Sequence, residues 1–161
     1  MFGDSEFLAS DVFDYMSTYH DHFDVVMSWS VIKSIPRWKE FINGMLERAD
    51  RYVLFDARFF NIKSQDPVFD VSLYNAEYGG QKTPLMFSSY QPILTHIVNH
   101  SKVEEVQLCA YRSRPDPHST YQGGEIPDCY IFSFCIKVGS PVSGQQVRVY
   151  KQLPVELREN G

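Results

Sequence analysis

The chain has 161 residues, of which 43% are hydrophobic and 22% charged, a composition typical of a globular domain with a core of its own. Its formal net charge is −5 and its Lys and Arg residues are dispersed, which disfavours charge-driven binding to nucleic acid or an anionic membrane. No apolar run approaches the roughly 20 residues of a membrane span, and the N-terminus lacks the features of a signal peptide. We therefore predict a cytoplasmic protein.

The three cysteines argue against a disulfide framework. Cys109, Cys129 and Cys135 cannot all pair, and none belongs to a CxxC motif. Two of them lie within an apolar run, so we expect all three to be reduced and mostly buried, as is usual in the cytoplasm.

Histidine spacing does not predict a metal site. His20 and His22 form an HxH pair, and His96 and His100 lie four residues apart on a predicted helix. A third ligand is not evident for the first pair, and no HExxH motif surrounds the second. No metal ligand is therefore assigned.

The first part of the chain predicts three short elements. An apolar run over residues 6–10 (EFLAS) predicts a strand that ends at Asp11, and the aromatic stretch over 12–19 predicts a short helix or a turn. Phe23–Ser28 (FDVVMS) is nearly continuously apolar, as expected of a strand covered on both faces of its sheet.

An amphipathic helix follows, which we expect to be capped by Ser34 and to hold Pro36 in its first turn. A second strand, over residues 51–56, comes after a tight turn. A strand, a crossover helix and a strand of this length form a parallel, right-handed βαβ unit. The apolar residues of the helix recur at helical spacing and form one stripe: Trp38, Phe41, Ile42, Met45, Leu46 and Ala49.

The second half predicts two strands that pair without an intervening helix, which makes them antiparallel. Residues 61–88 form a long irregular segment, and such segments inside compact domains are often lids or binding loops. The elements predicted after it are a helix over 91–100, a strand over 103–111, a turn-rich excursion over 112–127, a strand over 129–138 and an edge strand over 146–151.

This order of elements resembles the second half of a class I S-adenosylmethionine (SAM)-dependent methyltransferase. That family has a seven-stranded sheet of order 3-2-1-4-5-7-6, in which only strand 7 is antiparallel. The segments that resemble strands 3 to 7 and the turns after them are EFLASDVFDY, FDVVMSWSVIKSIPRW, RYVLFDARF, VEEVQLCAYRS and CYIFSFCIKVG.

The resemblance implies an α/β fold, namely a partial Rossmann-like class I methyltransferase fold with a mostly parallel sheet and a C-terminal antiparallel strand. We predict a single, N-terminally incomplete methyltransferase-like domain over residues 1–161. Residues 140–161 would form a C-terminal extension of that domain.

The resemblance also implies a cofactor-binding edge. Asp11 would accept a hydrogen bond from the adenine amino group of SAM, and the N–H of Val12 would meet the ring. The loop of Ser28, Trp29 and Ser30 would contact the rest of SAM, since ligands of open α/β sheets bind at the C-terminal strand edge. Two alternatives stay open, with Asp11 as a helix N-cap and Trp29 as a core residue.

Substrate-facing residues are implied near the same edge. Lys33 occupies a position where relatives carry a polar residue facing the site, and Arg58 would hold an acceptor carboxylate or phosphate. Tyr78 belongs to a tyrosine-rich segment that would line an aromatic acceptor pocket. The alternatives are a solvated Lys33, an Arg58 that is exposed or paired with Asp56, and a tyrosine that tethers a loop. No catalytic residue is nominated, because SAM is already activated and the protein mainly aligns the displacement.

The family's glycine-rich turn after strand 1, and the acidic residue that ends strand 2, have no counterpart in the sequence. Two βα units, on the order of 60 residues, would be missing before Glu6. We therefore expect a fragment or truncated gene product that binds SAM weakly or not at all by itself. Phe23–Ser28 would then be a bare strand edge that pairs with a second copy or with a partner chain.

Two functions follow as hypotheses. The first is a SAM-dependent methyltransferase, in fragment or truncated form, that acts on a small-molecule acceptor and binds neither nucleic acid nor a membrane. Whether this chain is itself an enzyme is left open by the missing loop. The second is a non-catalytic, methyltransferase-like module for protein interaction.

Overall fold

The structure is a computed structural model that describes residues 8–139 and 146–158. Its helices pack on one side of a central sheet, and a single turn of 3-10 helix, Ile32–Ser34, precedes the longest of them. The α-helices are α1 (Val12–Thr18), α2 (Trp38–Arg48), α3 (Gln91–Val98) and α4 (Val155–Arg158).

Ten strands form one large and two small sheets within the described residues. The strands of the large sheet are β1 (Phe23–Ser28), β2 (Ala49–Phe60), β7 (Val103–Ser113), β9 (Cys129–Val138) and β10 (Arg148–Gln152). The strands of the small sheets are β3 (Val68–Phe69), β4 (Tyr74–Tyr78), β5 (Gln81–Pro84), β6 (Met86–Phe87) and β8 (Ser119–Tyr121).

The large sheet has the order β1-β2-β9-β7-β10. The β1–β2 and β7–β10 pairs are parallel, whereas β9 runs antiparallel to both of its neighbours. Four strands therefore point one way and one points the other, which makes this a mixed α/β architecture with a mostly parallel sheet. The predicted parallel βαβ unit and the predicted antiparallel pair are both confirmed.

One face of the large sheet, which we call the covered face, carries the main core. The stripe of α2 packs against it, and α3 contributes Ile93 and Ile97. Strands β2 and β9 contribute alternate residues, as a half-covered sheet requires. Those residues are Val53, Phe55, Ala57 and Phe59 of β2, and Tyr130, Phe132, Phe134, Ile136 and Val138 of β9.

The opposite face, which we call the open face, carries no helix of the described chain over most of its area. Strand register places side chains in rows across this face, since directly opposed residues point the same way. The first row runs through all five strands, and the second starts on β2. The first row is Met27, Leu54, Cys135, Gln107 and Tyr150, and the second is Asp56, Ser133, Cys109 and Gln152.

A second, smaller core covers the open face only at the C-terminal end of β2. Here Phe60 and Cys129, which oppose each other, pack beneath the small sheet β5-β4-β8. Tyr74 and Phe87 complete the contact, with the Phe60 ring centroid 5.2 Å from that of Tyr74 and 4.7 Å from that of Phe87. The segment over 61–88, which was predicted to be irregular, contains strands β3 to β6 and forms a platform over one end of the sheet.

Several predictions of local structure were wrong. Leu8–Ser10 form no strand, and residues 6–7 of that prediction lie outside the described residues. Helix α2 begins at Trp38 with Arg37 as its N-cap, so Ser34 does not cap it. The predicted edge strand is present over Arg148–Gln152, where it pairs with β7.

Coverage of β1 was also predicted wrongly. Met27 is 64% exposed and Val25 is exposed, because β1 is the edge strand and both side chains lie on the open face. The same geometry explains the cysteines. Cys109 is exposed and Cys135 half-buried on the open face, and only Cys129 is buried, beneath the second core. All three are free thiols, as predicted.

None of the helices in residues 8–139 and 146–158 has the length and apolar character needed to cross a membrane.

A methionine-to-alanine substitution should affect stability strongly on the covered face and weakly on the open face. Met45 is 2% exposed on α2, and Met45→Ala should lower the free energy of unfolding by about 2–5 kcal/mol through lost burial and a residual cavity. Met27→Ala on the open face is the matched control and should change it by less than about 0.5 kcal/mol. Urea denaturation of both variants measures the difference. Equal losses would contradict the assignment of the two faces.

The reactivity of the cysteine thiols should differ between exposed and buried parts of the sheet. Burial raises the pKa of Cys129 to about 11, an effect that the positive charge of Arg58 only partly offsets. At about pH 8 iodoacetamide should therefore alkylate the exposed Cys109 readily and leave Cys129 unmodified in the native protein. Peptide mass spectrometry distinguishes the sites. Labelling of Cys129 as fast as Cys109 would contradict the burial of the second core.

Candidate functional site

The C-terminal end of β1 opens into an exposed loop of unusual backbone geometry. Ser28 is buried, whereas Trp29 is 60% exposed, so the alternative that Trp29 packs in the core is wrong. Ser30 has a φ of 57°, a left-handed conformation that non-glycine residues rarely adopt. Such backbone strain often marks a functional site.

A hydrogen bond to Asp56 of β2 holds this loop against the sheet. The backbone N–H of Ser30 donates a hydrogen bond to Asp56 Oδ1. Asp56 is only 8% exposed and lies in the second row of the open face, so the loop passes beside β2 at the level of that row. Residues far apart in sequence, on the loop and on the neighbouring strand, thus share one edge.

Asp116, from the segment between β7 and β8, contacts three polar groups through its carboxylate. Tyr78 Oη donates to Asp116 Oδ2 at 2.8 Å, and Lys33 Nζ lies 3.6 Å from the same oxygen. The backbone N–H of His118 donates to Oδ1 at 3.0 Å. The two predicted substrate residues Lys33 and Tyr78 are thus brought together, and Lys33 is not solvated but paired.

The charge state of Asp116 follows from these contacts. Burial, the largest single influence, raises its pKa, whereas hydrogen bonds from the His118 amide and the Tyr78 hydroxyl lower it. The positive charges of Lys33 and Arg58 lower the pKa further, and the net shift is downward. Asp116 is therefore an ionised acceptor at neutral pH and not a proton donor.

Arg58 lies between the bare part of the open face and the second core. It opposes Ile131 in the third row, one row beyond Asp56 and one before Phe60. Its Nε and one Nη are buried and have no hydrogen-bond partner among the described residues. Neither alternative for this residue is observed, because it is half-buried and forms no ion pair with Asp56.

Groups around the guanidinium are held neutral. Burial raises the pKa of the Tyr74 hydroxyl, and the nearby Arg58 lowers it by a smaller amount. The Cys129 thiol, with its pKa of about 11, stays protonated at neutral pH. Neither group is therefore an activated nucleophile, and the arrangement is suited to binding polar or anionic groups and not to covalent catalysis.

A cavity of about 20 Å³ lies between these residues, beyond the C-terminal end of β1 and beside residues 56–58 of β2. By the volume that one water molecule requires, roughly 10–15 Å³, it admits a single oxygen-sized atom. Its lining residues are Ser30, Lys33, Asp56, Ala57, Arg58 and Ile131.

The predicted adenine residues lie apart from this cavity on the helical side of the sheet. Asp11 is the N-cap of α1, and its Oδ1 accepts hydrogen bonds from the N–H groups of Phe13 at 2.8 Å and Asp14 at 3.3 Å. Val12 begins α1 and packs against the main core. The capping alternative for Asp11 is thus observed, and contact of either residue with adenine stays a prediction.

Asp116, which contacts Lys33 and Tyr78, was not predicted from the sequence as a site residue. It lies in the sequence RPDPH, within the turn-rich excursion between two strands. Loops held on a rigid sheet commonly carry binding residues, which is the signal that was available. Among the described residues no group of three potential ligands is close enough to hold a metal ion.

Comparison with known proteins adds no relative. No known protein family, no curated protein and no solved structure matches this chain. The assignment of function therefore depends on the geometry described above and on the resemblance of the strand motifs.

The depressed pKa of Asp116 predicts how stability varies with pH. A carboxylate whose pKa is lower in the folded state stabilises that state above its unfolded pKa, and this contribution is lost as the pH falls through the folded pKa. The native protein should therefore have a higher free energy of unfolding than the Asp116→Asn variant, and this difference should be largest near pH 7. The difference should shrink between about pH 5 and about pH 2. Chemical denaturation across this range tests the prediction, and a pH-independent difference would contradict it.

Proposed function

We propose that this chain forms the acceptor-side half of a class I SAM-dependent methyltransferase acting on a small molecule. The observation that carries the proposal is the strand order β1-β2-β9-β7 with β9 antiparallel. In the family's order, strands 4-5-7-6 occupy these positions and strand 7 is the antiparallel one. The four matching segments are those identified from their sequence motifs.

The position of the candidate site supports the same function. Ligands of open α/β sheets bind outside the C-terminal ends of the parallel strands. The Ser28–Ser30 loop and Lys33 follow the C-terminal end of β1, and Asp56 and Arg58 lie on β2 just beyond the point where β1 ends. Methyl transfer from a sulfonium asks the protein mainly to align donor and acceptor, so a site without an activated nucleophile suits this chemistry.

The cofactor half of such an enzyme would add to the free side of β1. In the family, strand 1 lies beside strand 4, the strand that β1 resembles, and it carries the glycine-rich turn. The described residues contain no such turn, since Gly79 and Gly80 form the two-residue hairpin between β4 and β5. We propose that the cofactor half is a βα segment whose strand pairs with β1 and continues the sheet beyond it.

A non-catalytic interaction module is the second candidate. The open β1 edge and the exposed apolar side chains of the open face favour it, because both are surfaces that other chains tend to cover. In this case the strand and helix that add to β1 would carry no cofactor-binding turn. Binding of SAM separates the two candidates.

Calorimetric titration with SAM tests the proposal. The polypeptide that carries this sequence in its source, purified with any chain that remains bound to it, should bind SAM. The 161-residue chain alone should bind at least a hundredfold more weakly, because it lacks the glycine-rich turn and the ribose-binding acid. No heat of binding with the native polypeptide would contradict the methyltransferase proposal.

Two exposed aromatic residues provide matched variants for the same titration. Trp29, at the proposed SAM edge, is 60% exposed, and Tyr150, on the far strand β10, is 52% exposed. In the native polypeptide, Trp29→Ala should weaken SAM binding by about fivefold or more, by the usual worth of a cation–aromatic contact of about 1 kcal/mol. Tyr150→Ala should leave it unchanged. Equal effects of the two substitutions would count against the placement of SAM beside Trp29.

A further inference from the structure

We propose that Arg58 anchors a carboxylate group of the acceptor, with Lys33 as a second cation at the rim of the same cavity. This inference names the acceptor class of the proposed methyltransferase and rests on that function. Binding of the carboxylate to Arg58 depends only on the geometry of the cluster, and it can be tested without SAM.

The nearby carboxylates are engaged elsewhere and do not pair with Arg58. Asp56 lies two residues before Arg58 on the same face of β2, where a pair would be expected. It instead accepts the hydrogen bond of Ser30, and Asp116 is held by Tyr78, His118 and Lys33. Within the described parts of the chain, Arg58 has no ion-pair partner.

An arginine in this position requires a partner. A guanidinium cannot relieve its burial by losing a proton, because arginine stays charged in proteins. Donors removed from water without an acceptor destabilise the folded state, and charged donors do so most strongly. Arg58 lines the cavity, and its incompletely satisfied guanidinium favours an anion that enters there.

The size of the cavity selects the kind of anion. At about 20 Å³ it admits a single oxygen, so a carboxylate leaves one oxygen outside the cavity, whereas a phosphate would leave three there with only Lys33 to receive them. One carboxylate oxygen would enter beside Arg58, and the other would stay near the ammonium group of Lys33 at the rim. Charge-assisted hydrogen bonds of this kind are the strongest that a protein makes to a small ligand.

The surface next to the cavity fits the remainder of such an acceptor. The open face forms a groove of about 770 Å³, which includes Trp29, Leu54 and Ser133. On β2 and β9, the next residues on the same face are Asp56 and Ile131, which line the cavity. The groove therefore leads into the cavity, and an aromatic or aliphatic body would lie on the groove while its carboxylate reaches Arg58.

Binding of three probes to the full chain tests the inference by amide-resolved NMR. Benzoate should bind with a dissociation constant on the order of millimolar, and shift the amides of Ser30, Ala57 and Ile131. Benzamide, its neutral isostere, and inorganic phosphate should bind at least tenfold more weakly. Equal binding of benzoate and benzamide, no binding of benzoate, or tighter binding of phosphate would overturn the carboxylate assignment.

Two arginine variants test the residue itself. Arg58→Met should abolish the benzoate shifts and change the melting temperature little, since the substitution breaks no ion pair, and the lost attraction to Asp116 is offset by the removal of a partly buried charge. Arg112→Met is the matched control, because Arg112 is exposed and paired with Asp128, and it should leave benzoate binding unchanged. A large fall in melting temperature for Arg58→Met would assign Arg58 a structural role, and retained benzoate binding in that variant would equally overturn the inference.

The two proposals fail in different ways. Benzoate binding without SAM binding by the native polypeptide would keep the carboxylate site and reject methyl transfer. SAM binding with no benzoate binding would keep the methyltransferase and reject a carboxylate acceptor at Arg58.

Discussion

Strand β9 is the constraint on which the rest of the molecule depends. It is hydrogen-bonded along nearly its whole length to β2 on one side and to β7 on the other. Backbone groups of a buried strand must find partners, and here both sides are satisfied within the chain. The alternation of β9 side chains then divides the sheet into a covered face, where α2 and α3 pack, and an open face.

The candidate site lies at the boundary of the second core, where the open face changes from covered to bare. The second core shields the row of Phe60 and Cys129, while the row of Leu54 and Cys135 is bare. Arg58 lies between them, so it is half-buried by the platform and lies beside the groove. Strand β1 has a free edge within the described chain, and this edge is the surface with which a cofactor half would pair.

The regular elements of the sheet were predictable because their signals are local. The period of the α2 stripe identified the helix, and the apolar run of β9 identified a central strand with its bounds. The run in β1 did not reveal that one face is bare, since continuous apolar residues suit an edge beside an open groove as well as a buried strand. Asp116 could not be linked to Lys33 and Tyr78, because their contact depends on how two long connections fold over the sheet.

Amide hydrogen exchange of the 161-residue chain, measured residue by residue, tests the central claim that the sheet is closed around β9 and open at β1. The β9 amides should exchange most slowly, through global unfolding, since they lie in the best-protected part of the structure. Amides of β1 that point away from β2 should exchange rapidly, because no neighbouring strand of the described chain protects them. Rapid exchange throughout β9, or protection of the outer amides of β1 to the level of β9, would contradict the account.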